Sequence, residues 1–257
     1  MKFDNLFSEL EIALQDDIVL LNIFKKNKNR YKKTLDLLIH RFDINCNFKI
    51  LDFGCGNPYL VFLLDRLGYD VLGYEPYLDE VNNRCIELLA INHLIISEPN
   101  NERFNLILLI DVIEHVPIIS ELFIGISLFT HNDAILFIST PNVMRIEMWF
   151  LFIVRKQGHP QHIDAFLNNN DLYTNHQREY TNNELLQTCR YFGYEEIIYN
   201  KCFNTLPSFS DLQQNHLVQK KKLHSKSRLL FIFNFLKLLF PQSLNNNLFL
   251  IVRKKVR

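Results

Sequence analysis

Apolar positions recur along the chain with two different periods, and the change of period divides it. Up to about residue 45, Leu6, Leu10, Ile12, Leu14 and Ile18 to Leu21 share one helical side, which Leu35, Leu37 and Leu38 resume beyond a basic run from Lys25 to Lys33. Residues 1–45 are therefore expected to form an N-terminal helical cap. Its basic run reads as a solvated helix face, with a grip on an anionic ligand as the alternative. From Lys49 the pattern turns to short, nearly continuous apolar runs at Lys49–Phe53, Val71–Tyr74, Leu94–Ile96, Phe104–Ile110 and Ala134–Ser139, as in strands buried on both faces. Helical spacing separates them at Tyr59–Leu67 and Asp79–Ile91. The alternation predicts an α/β fold with a mostly parallel sheet, helices on both faces, and ligand-binding loops along one sheet edge.

After Pro141-Asn142, residues 143–178 exceed what such a sheet needs. They carry an aromatic helix around Trp149, read as insertion core, and a polar stretch, and together suggest a lid or substrate-binding insertion. Thr181 with Glu184 three residues on is a capping box, and its helix stops at Gly193 before strands near Glu195–Tyr199 and Leu248–Arg253. These bring the strands to seven. Between the last two lies an excursion, 201–247, containing an amphipathic helix, Arg228–Phe240. Residues 46–257 thus read as one domain.

Composition narrows the function. The chain has 257 residues, 48% of them hydrophobic, with 28 basic and 28 acidic residues in balance, so no net field draws it to nucleic acid. A small-molecule acceptor is favoured and no protein partner is evident. Five cysteines without a C-x-x-C spacing point to neither a disulfide framework nor a zinc knuckle, and fit the cytoplasm. The first residues do not resemble a signal peptide, so export is not expected. Leu229–Phe240, broken by Asn234 and Lys237, is shorter than the ~20 residues of a membrane span. With Lys220, Lys221, Lys222, Lys226 and Arg228 before it, segment 220–240 offers peripheral contact with the inner membrane face as an alternative to covering a sheet edge.

The candidate chemistry begins where the first strand ends in Asp52 and continues into Gly54-Cys55-Gly56, a turn that lets backbone approach a nucleoside. Glu75, 19 residues past Gly56, ends the next strand and suits two ribose hydroxyls. A dinucleotide fingerprint would need a third glycine where Tyr59 stands, and its side chain is expected to obstruct a pyrophosphate. A cofactor without phosphates, S-adenosyl-L-methionine, fits better: Asp52 places negative charge near its cationic end, and Gly54 and Gly56 line its tail.

Residues Ile50–Pro58 with Glu75 resemble motif I and the following acidic strand end of class I S-adenosylmethionine-dependent methyltransferases, and Phe104–Val116 resembles their fourth strand with its Asp-x-x-Glu-His-Val ending. The resemblance covers roughly 45–200 and departs from the commonest form at Pro58, where many members carry a glycine. Gln177–Leu185, followed by Phe192-Gly193-Tyr194, is similar to a region of bacterial methyltransferases from surface-polysaccharide and natural-product pathways. These likenesses imply a Rossmann-like methyltransferase fold and a cofactor site of Asp52, Gly54, Cys55, Gly56, Glu75 and Asp111. They also imply methyl transfer to a small hydroxylated acceptor, a sugar or lipid-linked glycan. Asp111 is expected to face the cofactor's methyl region, while Glu114 and His115 open the next helix. His115, whose ordinary pKa lies near neutrality, is the candidate base, with helix capping as its alternative. His176 and Arg178 are candidates for holding the acceptor, or for surface salt bridges to Glu179 or Glu184. In some relatives the Glu-His pair helps to hold a divalent metal, and His159, His162, Asp164 and His176 are conceivable partners here. Scattered histidines are more often loop residues, so no metal is expected. A nicotinamide-dependent oxidoreductase on a related fold and a non-catalytic scaffold are the competing readings.

Overall fold

The N-terminal period resolves into two helices, α1 (Asp4–Ala13) and α2 (Ile18–Asp36), the second running into a single π-helical turn, Leu37–Arg41. Asp17 starts α2 by accepting from the Val19 and Leu20 amides at 3.0 and 3.1 Å, satisfying two donors that have no partner within the helix. The structure is a computed structural model that describes residues 3–42, 44, 47–145, 148, 152–153, 156, 176–203 and 245–255. Trp149, His159, His162, Asp164 and the segment 220–240 lie outside the described residues. Among the described residues no helix is long and apolar enough to cross a membrane.

Seven strands follow: β1 (Lys49–Phe53), β2 (Asp70–Tyr74), β3 (Ile95–Ile96), β4 (Phe104–Ile110), β5 (Thr130–Pro141), β6 (Tyr194–Phe203) and β7 (Asn247–Lys254). They form one sheet in the order β3-β2-β1-β4-β5-β7-β6, parallel except for β7, which runs antiparallel to both neighbours. The expected mostly parallel seven-stranded sheet is therefore present. The connecting helices are α3 (Tyr59–Arg66), α4 (Glu80–Leu89), α5 (Ile119–Ser127) and α6 (Asn182–Tyr191). Alternate residues of each central strand feed two cores. Ile50, Leu106, Leu108, Ile135 and Phe137 face α1 to α4, while Leu51, Ile107, Leu109, Leu136 and Ile138 face α5 and α6.

The N-terminal helices belong to the first of these cores. Phe7, Leu10, Leu20, Phe24, Leu35 and Leu38 are fully buried in the same cluster as Ile50, Tyr59 and Phe249. Removing such a side chain would cost about 3–5 kcal/mol for a phenylalanine, so α2 is a fixed wall of the domain and not a detachable cover.

Two differences from the sequence reading have local causes. The helix after β4 begins at Ile119, not at Glu114, because Pro117 lacks an amide and steers Val116 away from helical geometry. Strands β5 and β6 are longer than their apolar cores. β5 opens with exposed His131-Asn132-Asp133 around an irregularity in its pairing with β4, and β6 is an edge strand with polar residues facing solvent. At α6 the capping box is realised: Thr181 Oγ1 accepts from the Glu184 amide at 3.2 Å, and Glu184 returns an acceptor to the Thr181 amide at 2.9 Å. Thr181→Ala is expected to destabilise the protein by about 1 kcal/mol, read as a lower denaturant midpoint with an unchanged slope.

Candidate functional site

The carboxyl ends of β1, β2 and β4 converge on one edge of the sheet. Gly54 and Cys55 both donate to the Tyr74 carbonyl, at 2.8 and 3.2 Å, which folds the loop after β1 against the end of β2. Gly54 adopts φ +74°, and a Cβ there would lie 2.9 Å from Val112 Cγ2, so only glycine serves. The Gly56 amide donates to Glu75 Oε2 at 3.0 Å and the Tyr77 amide to Oε1 at 3.2 Å. Glu75 thereby pins the glycine loop while presenting its carboxylate at the edge; burial raises its pKa and these two amides oppose the rise.

The sequence reading passed over Gly73. A Cβ at that position on β2 would stand 2.8 Å from Cys55 Sγ, so Gly73 makes room for the thiol beneath the loop. A glycine inside a strand was the available signal. Burial, with the nearby Asp52 and Glu75 charges, drives the Cys55 thiol well above its ordinary pKa. Cys55 can offer a ligand its backbone, not a thiolate.

Tyr59 does not stand in a ligand's path. Its ring is fully buried against Phe24 and Tyr31, with centroids 5.4 and 6.0 Å away, and its hydroxyl donates to the Leu20 carbonyl at 2.9 Å. The expected obstruction of a pyrophosphate by this side chain is corrected: Tyr59 instead fastens α2 over the glycine loop.

Asp52 is 4% exposed at the end of β1, and burial, assisted by the Glu75 charge, pushes its carboxyl up to about 7. The folded pKa thus lies above that of an unfolded aspartate, about 3.9. The resulting stabilisation is complete below pH ~4 and is lost as pH rises to about 7, with a ceiling of about 4 kcal/mol. The melting temperature of the unliganded protein is accordingly expected to fall between pH 5 and pH 8 by more in the wild type than in Asp52→Asn; parallel profiles would contradict this. A cation placed beside Asp52 would draw off the proton and restore the carboxylate.

At the end of β4, Asp111 takes the left-handed φ of +55° and donates its amide to the Ser139 carbonyl at 2.8 Å. Its carboxylate forms an ion pair with Arg30 of α2. Arg30, Tyr31, Asp52, Gly54, Asn57 and Ile110 contribute to the walls of a cavity of about 30 Å³. Glu114 and His115 follow in a turn closed by the His115 amide on the Val112 carbonyl at 2.9 Å, so His115 does not cap a helix. Glu114 is fully buried; Thr140 Oγ1 donates to its Oε2 at 2.8 Å, and burial pushes its carboxyl up to about 7 against that bond.

The Gln177 and Arg178 amides converge on the Glu114 carbonyl, at 2.7 and 3.2 Å, and bring the chain before α6 to this turn. His176 then meets His115 edge to face, with centroids 4.8 Å apart, and its Nδ1 lies 2.9 Å from Glu179 Oε1. Burial works against the Glu179 charge, but His176 and Arg145, which pairs with both carboxylate oxygens, hold its pKa below the usual range. Of the two acceptor-holding candidates, His176 reaches the site. Arg178 turns outward to Glu184 at 2.9 Å with its side chain 59% exposed, the surface salt bridge weighed as its alternative.

Glu114, His115 and His176 could together hold a metal, since their ligand atoms lie within 4.8 Å of one another. Bonds of about 2.0–2.2 Å to one ion allow at most about 4.4 Å between ligand atoms, so binding would require the side chains to draw together.

Residues 17–197, well over half of the chain, match the family described as a methyltransferase domain. No curated protein matches the sequence. A S-adenosylmethionine-dependent methyltransferase from Archaeoglobus fulgidus superposes with a TM-score of 0.51 at 14% identity, covering 89% of this chain and 97% of its own. Another from Mesorhizobium loti gives 0.53 at 13% identity over 87% and 100%. Magnesium protoporphyrin IX methyltransferase from Synechocystis PCC 6803, with S-adenosylhomocysteine bound, gives 0.51 at 12% identity over 98% and 95%. These likenesses are to the fold, whereas the family match takes in the glycine loop, Glu75 and the β4 turn. The chain belongs to the methyltransferase-domain family and is a class I S-adenosylmethionine-dependent methyltransferase.

Proposed function

We propose that the enzyme methylates a hydroxyl oxygen of a small acceptor, a sugar or lipid-linked glycan, with His115 as the general base. The observation that carries this reading is the His115–His176 pair at the end of β4, anchored through Glu179 to Arg145. An oxygen nucleophile must lose its proton as it attacks, and an imidazole can accept it near neutral pH. Bound S-adenosylmethionine would supply an electrophilic methyl group and be released as S-adenosylhomocysteine, and His115 would take the proton of the hydroxyl. His176, oriented by Glu179, buttresses the His115 ring and faces the acceptor side.

The balanced charge of the chain and the similarity of Gln177–Leu185 to bacterial methyltransferases from surface-polysaccharide and natural-product pathways support a small hydroxylated acceptor. Glu75 and the glycine loop place the adenosine end, and the turn at Asp111–His115 lies beside them on the same sheet edge. The test is transfer of isotope-labelled methyl groups from S-adenosylmethionine to host extract, with products identified by mass. Label in a low-mass, hydroxyl-bearing glycan or glycolipid is expected. Label confined to protein, nucleic acid or amine nitrogen would overturn the acceptor proposed here.

A further inference from the structure

Arg145 stands where two separate segments of the chain meet beside the site. It follows β5, whose end is fixed by the Asn142 amide on the Asn246 carbonyl at 2.8 Å and by the Val143 amide on the Tyr180 carbonyl at 3.1 Å. The Asn142 side chain holds the same turn, donating to the Asn245 carbonyl at 2.8 Å and accepting from the Met144 amide at 3.0 Å. From this footing the Arg145 guanidinium bonds back to the Asn142 carbonyl at 2.9 Å and reaches both carboxylate oxygens of Glu179, just before α6. We infer that Arg145 is a positioning residue for methyl transfer: through Glu179 it sets the tautomer and ring orientation of His176, and through His176 the placement of His115, an inference that rests on the assignment of His115 as base.

Three observations converge on it. The Arg145 and Glu179 side chains are only 14% and 2% exposed, so both charges have left water. Desolvation offsets most of the attraction in such a pair, and stability alone does not account for it. The geometry is a fork, in which two bonds fix the plane of the carboxylate where a point charge would leave it free to turn. The third observation concerns the imidazole. An ionised carboxylate only accepts, so His176 Nδ1, 2.9 Å from Glu179 Oε1, carries the hydrogen, and Nε2 is left as the acceptor nitrogen of the neutral ring.

The ring so held is the one that meets His115 edge to face, with centroids 4.8 Å apart. Arg178, nearer in sequence, takes no part, because it pairs with Glu184 instead. Arg145 and His176 also stand at the two ends of residues 146–175, within the stretch expected from the sequence to receive the acceptor. Their link through Glu179 therefore ties the orientation of the base to the chain on both sides of that stretch.

The experiment compares Arg145→Met, Arg145→Lys and Glu179→Gln with the wild type, all as the full chain. Nitrogen-15 spectra of labelled imidazoles at about pH 8.5, above the ordinary imidazole titration, report the tautomer, the His176 signals being those missing from His176→Ala. The initial rate of label transfer from saturating S-adenosylmethionine to host extract reports turnover, and calorimetry reports S-adenosylhomocysteine affinity. Wild-type His176 is expected as the Nδ1–H tautomer, giving way in Arg145→Met and Glu179→Gln to the averaged shifts of exchanging tautomers. The rate should fall by about 10- to 100-fold in Arg145→Met and about tenfold in Glu179→Gln, with S-adenosylhomocysteine affinity within about threefold of wild type. Arg145→Lys, which keeps the charge without the fork, should recover part of the rate. If Arg145→Met does not fold, Arg145→Lys and Glu179→Gln carry the same comparison. An unshifted tautomer or an unchanged rate would overturn the inference, as would equal losses of rate and cofactor affinity, the mark of general structural damage. A shifted tautomer in an enzyme whose His115→Ala variant turns over normally would instead remove the base assignment and leave the control of His176 by Arg145 standing.

Discussion

His115→Ala is expected to lower kcat by about 10²–10⁴-fold while changing S-adenosylhomocysteine affinity by less than about threefold. The separation of the two effects follows from the architecture. The glycine loop and Glu75, to which the cofactor's adenosine end is assigned, follow β1 and β2, whereas His115 sits in the turn after β4, against His176 and next to the fully buried Glu114. A base acts only as the proton leaves the acceptor, so its loss appears in the transition state and not in cofactor binding. His176→Ala should give a smaller loss of kcat, because it removes the support of His115 and leaves the base in place. Single-turnover transfer measured beside calorimetry distinguishes the two variants. Normal turnover in His115→Ala would end the assignment of His115 as base.

How far the sequence revealed this site depended on whether backbone or tertiary packing set each position. β1 and β4 were read with their observed limits because strands buried on both faces are almost uniformly apolar, and their ends are marked by Asp52 and Asp111. Gly54, Gly56 and Glu75 were legible for a related reason: a tight turn and an acidic strand end leave few residue types that will serve. Arg30 was not, because it stands among five lysines of the same run. Only the packing of Tyr31 and Tyr59 behind α2 determines which one turns inward. His176 stood among several scattered histidines until the amides of Gln177 and Arg178 brought it to the Glu114 carbonyl, a contact between residues more than sixty positions apart. Pro117, like Gly73, was a local signal misjudged, since a proline there places the helix start beyond it.

The carboxylate of Glu75 leads to the second large effect, in binding rather than turnover. Its two oxygens offer about four acceptor positions. The Gly56 and Tyr77 amides occupy two, which leaves two that the proposed cofactor site would use for the pair of ribose hydroxyls. Glu75→Ala removes both of these acceptors and also releases the Gly56 amide that holds the loop. Each charge-assisted bond contributes about 1.5–3 kcal/mol, so with two lost the affinity for S-adenosylhomocysteine is expected to fall by about 10²–10⁴-fold. Glu75→Gln retains one carbonyl oxygen, and its amide group can only donate where a second acceptor is needed, so an intermediate loss of about tenfold is expected. The ribose contact precedes any chemistry, and both variants should therefore keep the wild-type kcat at saturating cofactor. 5′-Methylthioadenosine, the adenosine thioether that carries the same ribose without the amino-acid tail, should weaken in parallel with S-adenosylhomocysteine. An unchanged dissociation constant in Glu75→Ala would mean that the ribose is held elsewhere and that Glu75 serves only to fasten the loop.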